Sequence, residues 1–298
     1  MQERLAQRPG ITGFRRWLES WRPSARLGRD PLSEYRVDGR YAPVSIANWK
    51  LTPRMKRVLL EQRTPRPLSF DSDERLTIVI PFRDRDEHLR ELLPPLTKTL
   101  TEQCIAHRIL VVEQDSGGLF NRGRLINAGI LHAAAQSDYY CLHDVDAVPV
   151  AANYRCPSQP LRLVHTIHNA EGEAQRTDYY FSGVVSVRKQ QVFAANGYAN
   201  EYWGWGKEDD DFFLRLLLAG YLCFYDTQGV FRDLPNPKAQ QVERKGKATP
   251  DFVRRNRRQR SRLVRGLESP LEDGLNTLRF EVISSIDLGA WETIRVRW

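Results

Sequence analysis

From Leu76 to Leu142, short apolar runs alternate with stretches of helical period, and this alternation constrains the fold more than any other feature of the chain. Leu76-Thr-Ile-Val-Ile-Pro81 has the pattern of a buried strand, a continuous apolar run stopped by proline. Leu89, Leu92, Leu93 and Leu96 then recur at the spacing of one helix face. Arg108-Ile-Leu-Val-Val112 supplies a second strand and Gly117-Gly118 a turn. Residues 123–135 supply a second helix, and Tyr139-Tyr-Cys-Leu142 a third strand. Strand–helix–strand–helix–strand at this spacing predicts an α/β fold with a parallel sheet. With 298 residues, 41% of them hydrophobic, the chain can bury the core such a fold needs; wholesale disorder and a disulfide-stapled miniature are excluded.

Cys104, Cys141, Cys156 and Cys223 lie far apart and form no CxxC pair, so they read as reduced thiols and not as a zinc site or disulfide framework. No stretch reaches the roughly 18 uninterrupted apolar residues of a membrane-spanning helix. The first ten residues lack the apolar segment of a signal peptide. The expectation is a soluble, cytoplasmic protein. Its net charge of +8 is unevenly placed: residues 1–70 and 238–265 each carry a net +9, which leaves −10 on the remainder. An acidic, cation-binding centre flanked by basic surfaces fits this pattern better than a uniformly basic nucleic-acid binder.

Residues 1–70 are expected to form a basic, partly helical arm interrupted by prolines, and residues 71–298 the main domain. In the arm, Phe14, Trp17, Leu18 and Trp21 share one helical face, with Arg15, Arg16 and Glu19 opposite. Such a stripe either docks on the main domain or lies on a membrane surface. A second amphipathic stretch runs from Met55 to Leu60.

Two constellations carry chemistry. The third strand ends in His143-Asp-Val-Asp146, where open α/β sheets bind their ligands. Asp144 and Asp146 can hold a hard divalent cation with a ligand's phosphate oxygens, or simply form a polar turn. Further on, Asn200-Glu-Tyr-Trp-Gly-Trp-Gly-Lys-Glu-Asp-Asp-Asp211 precedes the apolar helix Phe212–Ala219, closed by Gly220. Acids at a helix N-terminus complement its dipole, which accounts for one or two of the four. Trp and Gly together suggest a mobile loop whose rings stack on a sugar face, with a carboxylate beside it able to take a proton from a sugar hydroxyl.

With these segments the chain resembles the β-1,4-galactosyltransferases, glycosyltransferase family 7, along most of 76–280. Ile80-Pro-Phe-Arg-Asp-Arg85 is similar to the family's PFRxR segment, and Phe120-Asn-Arg122 with Leu125-Ile-Asn127 to its FNR…LLN segment. Asp144-Val-Asp146 matches the metal-binding DVD. Tyr180-Phe-Ser-Gly183 resembles YFGG, Trp203–Asp211 resembles WGWGxEDDD, and Asp273-Gly-Leu-Asn-Thr277 resembles DGLN.

The resemblance implies a GT-A fold, with a Rossmann-like, mainly parallel sheet flanked by helices. Residues 71–150 would be the nucleotide-binding half and 151–298 the acceptor-binding half. It implies inverting, metal-dependent transfer of a hexose from a UDP-sugar to a glycan hydroxyl in β-1,4 linkage. Pro81, Phe82, Arg83, Arg85, Phe120, Arg122, Asp144, Tyr180, Gly183 and Trp205 would face the UDP-sugar. Tyr180, Trp205, Gly206, Glu208, Asp209 and Asp210 would face the acceptor. Asp209 would be the catalytic base, with Glu208 beside it. Asp146, with Asp144, would ligate Mn²⁺. An aromatic residue at Tyr180 crowds an acetamido group and so favours UDP-galactose over UDP-N-acetylgalactosamine.

Two departures stand out. The family's further metal histidine is replaced by Asp233, which makes the donor set harder and more tolerant of Mg²⁺, or leaves it a ligand short. The first glycine of YFGG is Ser182. Relative to the animal Golgi enzymes, the chain reads as a bacterial-type, cytosolic member acting on a glycan that could be lipid-linked at the inner membrane. His165 and His168 read as structural. The run Arg254–Arg265, with seven arginines in twelve residues, is either a solvated segment or a contact with a membrane surface or an anionic acceptor. No nucleic-acid motif accompanies it, and no nucleic-acid partner is expected. The competing functions are a UDP-N-acetylgalactosamine transferase of the same fold, a non-catalytic sugar- or nucleotide-binding relative, and a binder of anionic polymers.

Overall fold

The computed structural model describes residues 39–44, 53, 68–115, 117–177, 180–235 and 251–298, all within the unit Pro31–Trp298. The amphipathic stretches Phe14–Trp21 and Met55–Leu60 lie outside the described residues. The strands are β1 (Tyr41–Pro43), β2 (Phe70–Asp71), β3 (Leu76–Phe82), β4 (His107–Gln114), β5 (Tyr139–His143), β6 (Ala147–Ala151), β7 (Cys156–Pro157) and β8 (Leu161–Arg162). They continue as β9 (Thr166–His168), β10 (Ala174–Arg176), β11 (Val184–Arg188), β12 (Phe224–Asp226), β13 (Val230–Asp233), β14 (Glu281–Asp287) and β15 (Glu292–Arg297). The helices are α1 (Asp86–Glu102), α2 (Arg122–His132), α3 (Lys189–Ala194), α4 (Glu208–Leu218) and α5 (Asp251–Val264).

The main sheet has nine strands in the order β1-β12-β8-β11-β5-β3-β4-β15-β14. The three strands expected between Leu76 and Leu142 stand together at its centre, with β3 parallel to both β4 and β5. The sheet is mixed: β11 runs antiparallel between β5 and β8, and β14 closes the far edge antiparallel to β15. β3 is buried along its whole length, as a strand covered on both faces must be. α1 buries Leu92, Leu93, Leu96 and Leu100, and α2 buries Leu125, Ile126 and Ile130. Each such side chain contributes roughly 1.5–3 kcal/mol. α2 approaches the sheet closely because Gly129 has no side chain; a Cβ there would stand 2.6 Å from Val79 and 2.9 Å from Val112.

A boundary at residue 70 does not hold. β1 pairs antiparallel with β12, and Arg40 forms a two-pronged ion pair with the buried Asp226, its Nη2 2.8 Å from Oδ2. That ladder joins Tyr41–Pro43 to the main sheet. Within the main domain, 71–150 and 151–298 contribute to one sheet, β8, β11 and β12 lying beside β3–β5. All four cysteines are free and three are buried. A second sheet, β10-β9-β13-β6, sets the end of β13 beside the residues that follow β5. Among the described residues no helix is long and apolar enough to cross a membrane.

Candidate active site

β3 and β5 end on the same side of the sheet, which brings Arg83, Asp84 and Arg85 level with Asp144-Val145-Asp146. β11 enters antiparallel to β5, so Ser182-Gly183 lies against the same corner, where the Asp144 amide donates to the Gly183 carbonyl at 3.0 Å. α4 delivers the acids. Gly204 and Gly206 have positive φ, and Lys207 itself takes φ +85° at the helix N-cap. This tight turn places Glu208, Asp209, Asp210 and Asp211 in the first turn of α4, whose dipole favours negative charge.

The four acids then diverge. Arg122, at the start of α2, donates from Nε to Asp144 Oδ1 at 2.7 Å and from Nη1 to Asp209 Oδ1 at 2.6 Å. The Tyr198 hydroxyl reaches the same Asp209 oxygen at 3.2 Å, and the Ser182 hydroxyl donates to Oδ2 at 2.6 Å. Asp210 pairs with Lys207 at 2.8 Å and with Arg260 of α5 at 3.2 Å. Asp211 turns into the core, paired with Arg215 and accepting from the Tyr202 hydroxyl at 2.9 Å. Glu208 is buried; burial first, then the Asp209 charge, pushes its acid up to about 8. Asp211, the one acid of the four not expected at the site, is structural.

Burial alone would loosen the proton on Arg122, but Asp144 and Asp209 more than offset it and raise its pKa well above the ordinary value. The Arg122 side chain is 11% exposed, and its Nη2 is buried without a hydrogen-bond partner. That atom can take an oxygen of an anionic ligand. Asp144, half-buried and next to Asp146, is pushed up to about 7, chiefly by desolvation, against the pull of Arg122. His143 is a core residue: its Nδ1 donates to the Asp144 carbonyl and its Nε2 accepts from the Tyr154 hydroxyl, while burial lowers its pKa to about 4.

Asp233 pairs in register with Ala147, and the Leu234 amide donates to the Asp146 carbonyl at 2.8 Å. Burial and the nearby Asp146 push Asp233 up to about 6, and His88 opposes them. His88 arrives from α1, its Nε2 donating to the Pro235 carbonyl at 3.0 Å with the Arg85 guanidinium 3.5 Å away. No motif flagged His88. A carboxylate pushed up by burial beside a second carboxylate marks a place a dication relieves, and oxygen donors suit a hard one. Asp146 and Asp233 fit such an ion. Among the described residues no three His, Cys, Asp or Glu side chains already stand together as a ligand set.

Pro81 and Phe82 close β3, buried opposite Val112 and Glu113. The Arg83 guanidinium lies over the Phe120 ring, 5.3 Å from its centre. Tyr180 lies over the Arg162 guanidinium at 4.1 Å, and Arg162 in turn donates to the Ser182 carbonyl at 2.8 Å. Trp203 packs edge-on against Trp298, whereas Trp205 is 53% exposed. The Gly204 amide donates to the Phe120 carbonyl at 2.8 Å, joining this loop to the segment that leads into α2. α5 clamps it from outside: the buried Asn256 donates to the carbonyls of Trp203 at 3.1 Å and Gly206 at 3.0 Å. Of the expected residues, Arg122, Asp144, Gly183 and Asp209 converge, joined by Ser182, which was not expected; Asp146 and Asp233 form an adjoining pair, and Asp210 faces α5.

Comparison with known proteins gives a consistent result. The model for the N-terminal region of glycosyl transferase group 7 matches residues 44–157, and that for the N-terminal domain of galactosyltransferase matches 163–231. Human beta-1,4-galactosyltransferase 1 is 34% identical over 221 residues, 73% of this chain and 53% of the relative. Beta-1,4-galactosyltransferase 3 of Bos taurus is 34% identical over 261 residues, 86% and 63% respectively. The chain thus spans between half and two thirds of the length of these relatives. Among solved structures, the catalytic domain of Drosophila beta1,4-galactosyltransferase 7 with xylobiose superposes with a TM-score of 0.62. It is 27% identical, and the match covers 75% of this chain and 93% of that one. A mutant of the same enzyme was solved with manganese, UDP-Gal and xylobiose.

Proposed function

The chain belongs to glycosyltransferase group 7, and on that premise we propose that it is an inverting, metal-dependent galactosyltransferase. It moves galactose from UDP-galactose to a glycan hydroxyl in β-1,4 linkage. The observation that carries this reading is the Arg122 fork, which ties Asp144 at the strand ends to Asp209 at the start of α4. One cation thereby fixes the donor-side and acceptor-side carboxylates relative to each other.

Asp209, held by Arg122, Tyr198 and Ser182, takes the proton of the acceptor hydroxyl. The freed oxygen bonds to the anomeric carbon as the bond from that carbon to UDP breaks, and the electron pair leaves with UDP. Attack opposite the leaving group inverts the configuration. The unpartnered Nη2 of Arg122 suits a phosphate oxygen, and Arg83 over Phe120 lines the nucleotide side. Trp205 and Glu208 flank the accepting sugar, Asp210 is engaged by Lys207 and Arg260, and Tyr180 favours galactose by bulk. Asp146 and Asp233 would hold Mn²⁺, or Mg²⁺; the ion, when bound, neutralises the charge gathering on the diphosphate.

The manganese, UDP-Gal and xylobiose of the Drosophila structure support this choice of ion, donor and acceptor class. Four free thiols support a reducing, cytoplasmic setting. Contact with the inner membrane face through the basic residues 1–70 belongs to the same proposal, and co-sedimentation with anionic vesicles tests it. The activity is tested by UDP release from UDP-galactose with and without Mn²⁺, over xylosyl, glucosaminyl and glucosyl acceptors. Metal-dependent turnover that Asp209→Asn abolishes is the expected result. Absence of UDP binding by calorimetry overturns the reading.

A further inference from the structure

The arginine-rich run is not a uniformly solvated face. α5 buries Val253, Asn256, Leu263 and Val264, and its Asn256 ties down the Trp-Gly loop. On the other side Arg254, Arg255 and Arg258 stand with Leu119, Phe252 and Asp251 around a cleft of about 550 Å³. Asp251 is taken by Arg254 at 2.6 Å. Among the described residues no carboxylate pairs with Arg255 or Arg258. Two exposed guanidinium groups beside the apolar walls of Leu119 and Phe252 make the cleft strongly positive.

The cleft adjoins the catalytic loop. The Phe252 ring packs on Gly204 so closely that a Cβ there would stand 2.7 Å from it. Phe120, next to Leu119, accepts the Gly204 amide. Arg255 and Arg258 therefore line a cleft that shares its Phe252 wall with the loop that carries Trp205. We propose that this cleft is a subsite for an acidic group, carboxylate or phosphate, carried on a sugar adjoining the accepting residue, so that the acceptor is an anionic glycan. This rests on the transferase reading for what the glycan is used for. Guanidinium forks match both oxyanions, and a neighbouring ring such as Trp205 selects a sugar over a bare polyanion.

The test is calorimetric binding to the whole chain of a trisaccharide bearing one hexuronic acid, its neutral methyl ester, and a glycosyl phosphate of the same length. The acidic probes should bind about tenfold or more tightly than the ester at low salt, with the ratio shrinking as salt rises. The exposed double variant Arg255→Ala/Arg258→Ala should bring that ratio close to one with an unchanged melting temperature. Comparing the two acidic probes tells carboxylate from phosphate. Equal binding of acid and ester, or a preference that survives the double substitution, overturns the proposal. So does a double variant that loses only its affinity for phosphatidylglycerol vesicles. Turnover of UDP-galactose, read separately, decides the transferase assignment: arginine-dependent acid binding without turnover would sink that reading and leave the subsite standing.

Discussion

The Ser182 hydroxyl donates to one oxygen of Asp209 at 2.6 Å while Arg122 donates to the other at 2.6 Å. With a donor on each oxygen, the carboxylate plane is fixed before any acceptor arrives. The family's pattern has glycine at the Ser182 position, so this chain has gained a hydrogen bond on the proposed base.

Hydrogen bonds to charged groups contribute about 1.5–3 kcal/mol net. Ser182→Gly should therefore lower kcat about tenfold or more while leaving the KM for UDP-galactose near its starting value, measured as steady-state UDP release. An unchanged kcat would mean that Arg122 and Tyr198 suffice to hold Asp209.

Arg122→Lys is expected to be far more severe. A lysine cannot fork to two carboxylates, so Asp144 or Asp209 loses its partner inside a buried site. Breaking a buried pair costs about 3–5 kcal/mol. Thermal unfolding should show a clear loss of stability, and UDP affinity should drop with it. A variant with wild-type melting temperature and UDP affinity would show that the fork is dispensable.

Much of this site was legible in the sequence because its chemistry sits in short contiguous runs. β3, β4 and β5 announced themselves as apolar runs, and DVD and EDDD as blocks of acid. What stayed hidden depends on where the chain returns in space. His88 reaches Asp233 only because α1 passes the end of β13, and nothing local to His88 signals that. The serine in place of a glycine carries no local sign of a role because its partner lies 27 residues away. Asn256 sits in a run whose arginines suggested solvent, yet its own amide is inside, on the loop backbone. The boundary at 70 failed for the same reason: a three-residue strand carries too little pattern to be read, and only its pairing with β12 gives it away.

Asp233 decides how the proposed metal site differs from the family's. Oxygen for nitrogen hardens the donor set, which lowers the advantage of Mn²⁺ over Mg²⁺. Asp233→His should restore that advantage, and Asp233→Ala should weaken both ions. Paramagnetic resonance of Mn²⁺ titrated into protein with UDP, then displaced with Mg²⁺, measures this without turnover. Equal Mn²⁺ affinity in all three proteins would remove Asp233 from the ligand set and direct attention to His88.

Glu208 gives a pH-dependent signature of stability. Its carboxyl is pushed up to about 8 in the folded chain, chiefly by burial, against about 4.5 when exposed. The folded state therefore binds the proton more tightly than the unfolded one. Its contribution is fully present below about pH 4.5 and drains away as pH rises through about 8, by up to about 1.4 kcal/mol per pH unit. Gln cannot titrate, so Glu208→Gln should gain on the wild type progressively from pH 5 to pH 9, with nucleotide and metal absent. Asp144 and Asp233 titrate in the same window, but they are common to both proteins and largely cancel in the difference. Denaturant midpoints at four or five pH values would measure it. A difference that stays flat across the range would mean Glu208 is ionised in the folded chain throughout, and that its environment stabilises a second negative charge beside Asp209.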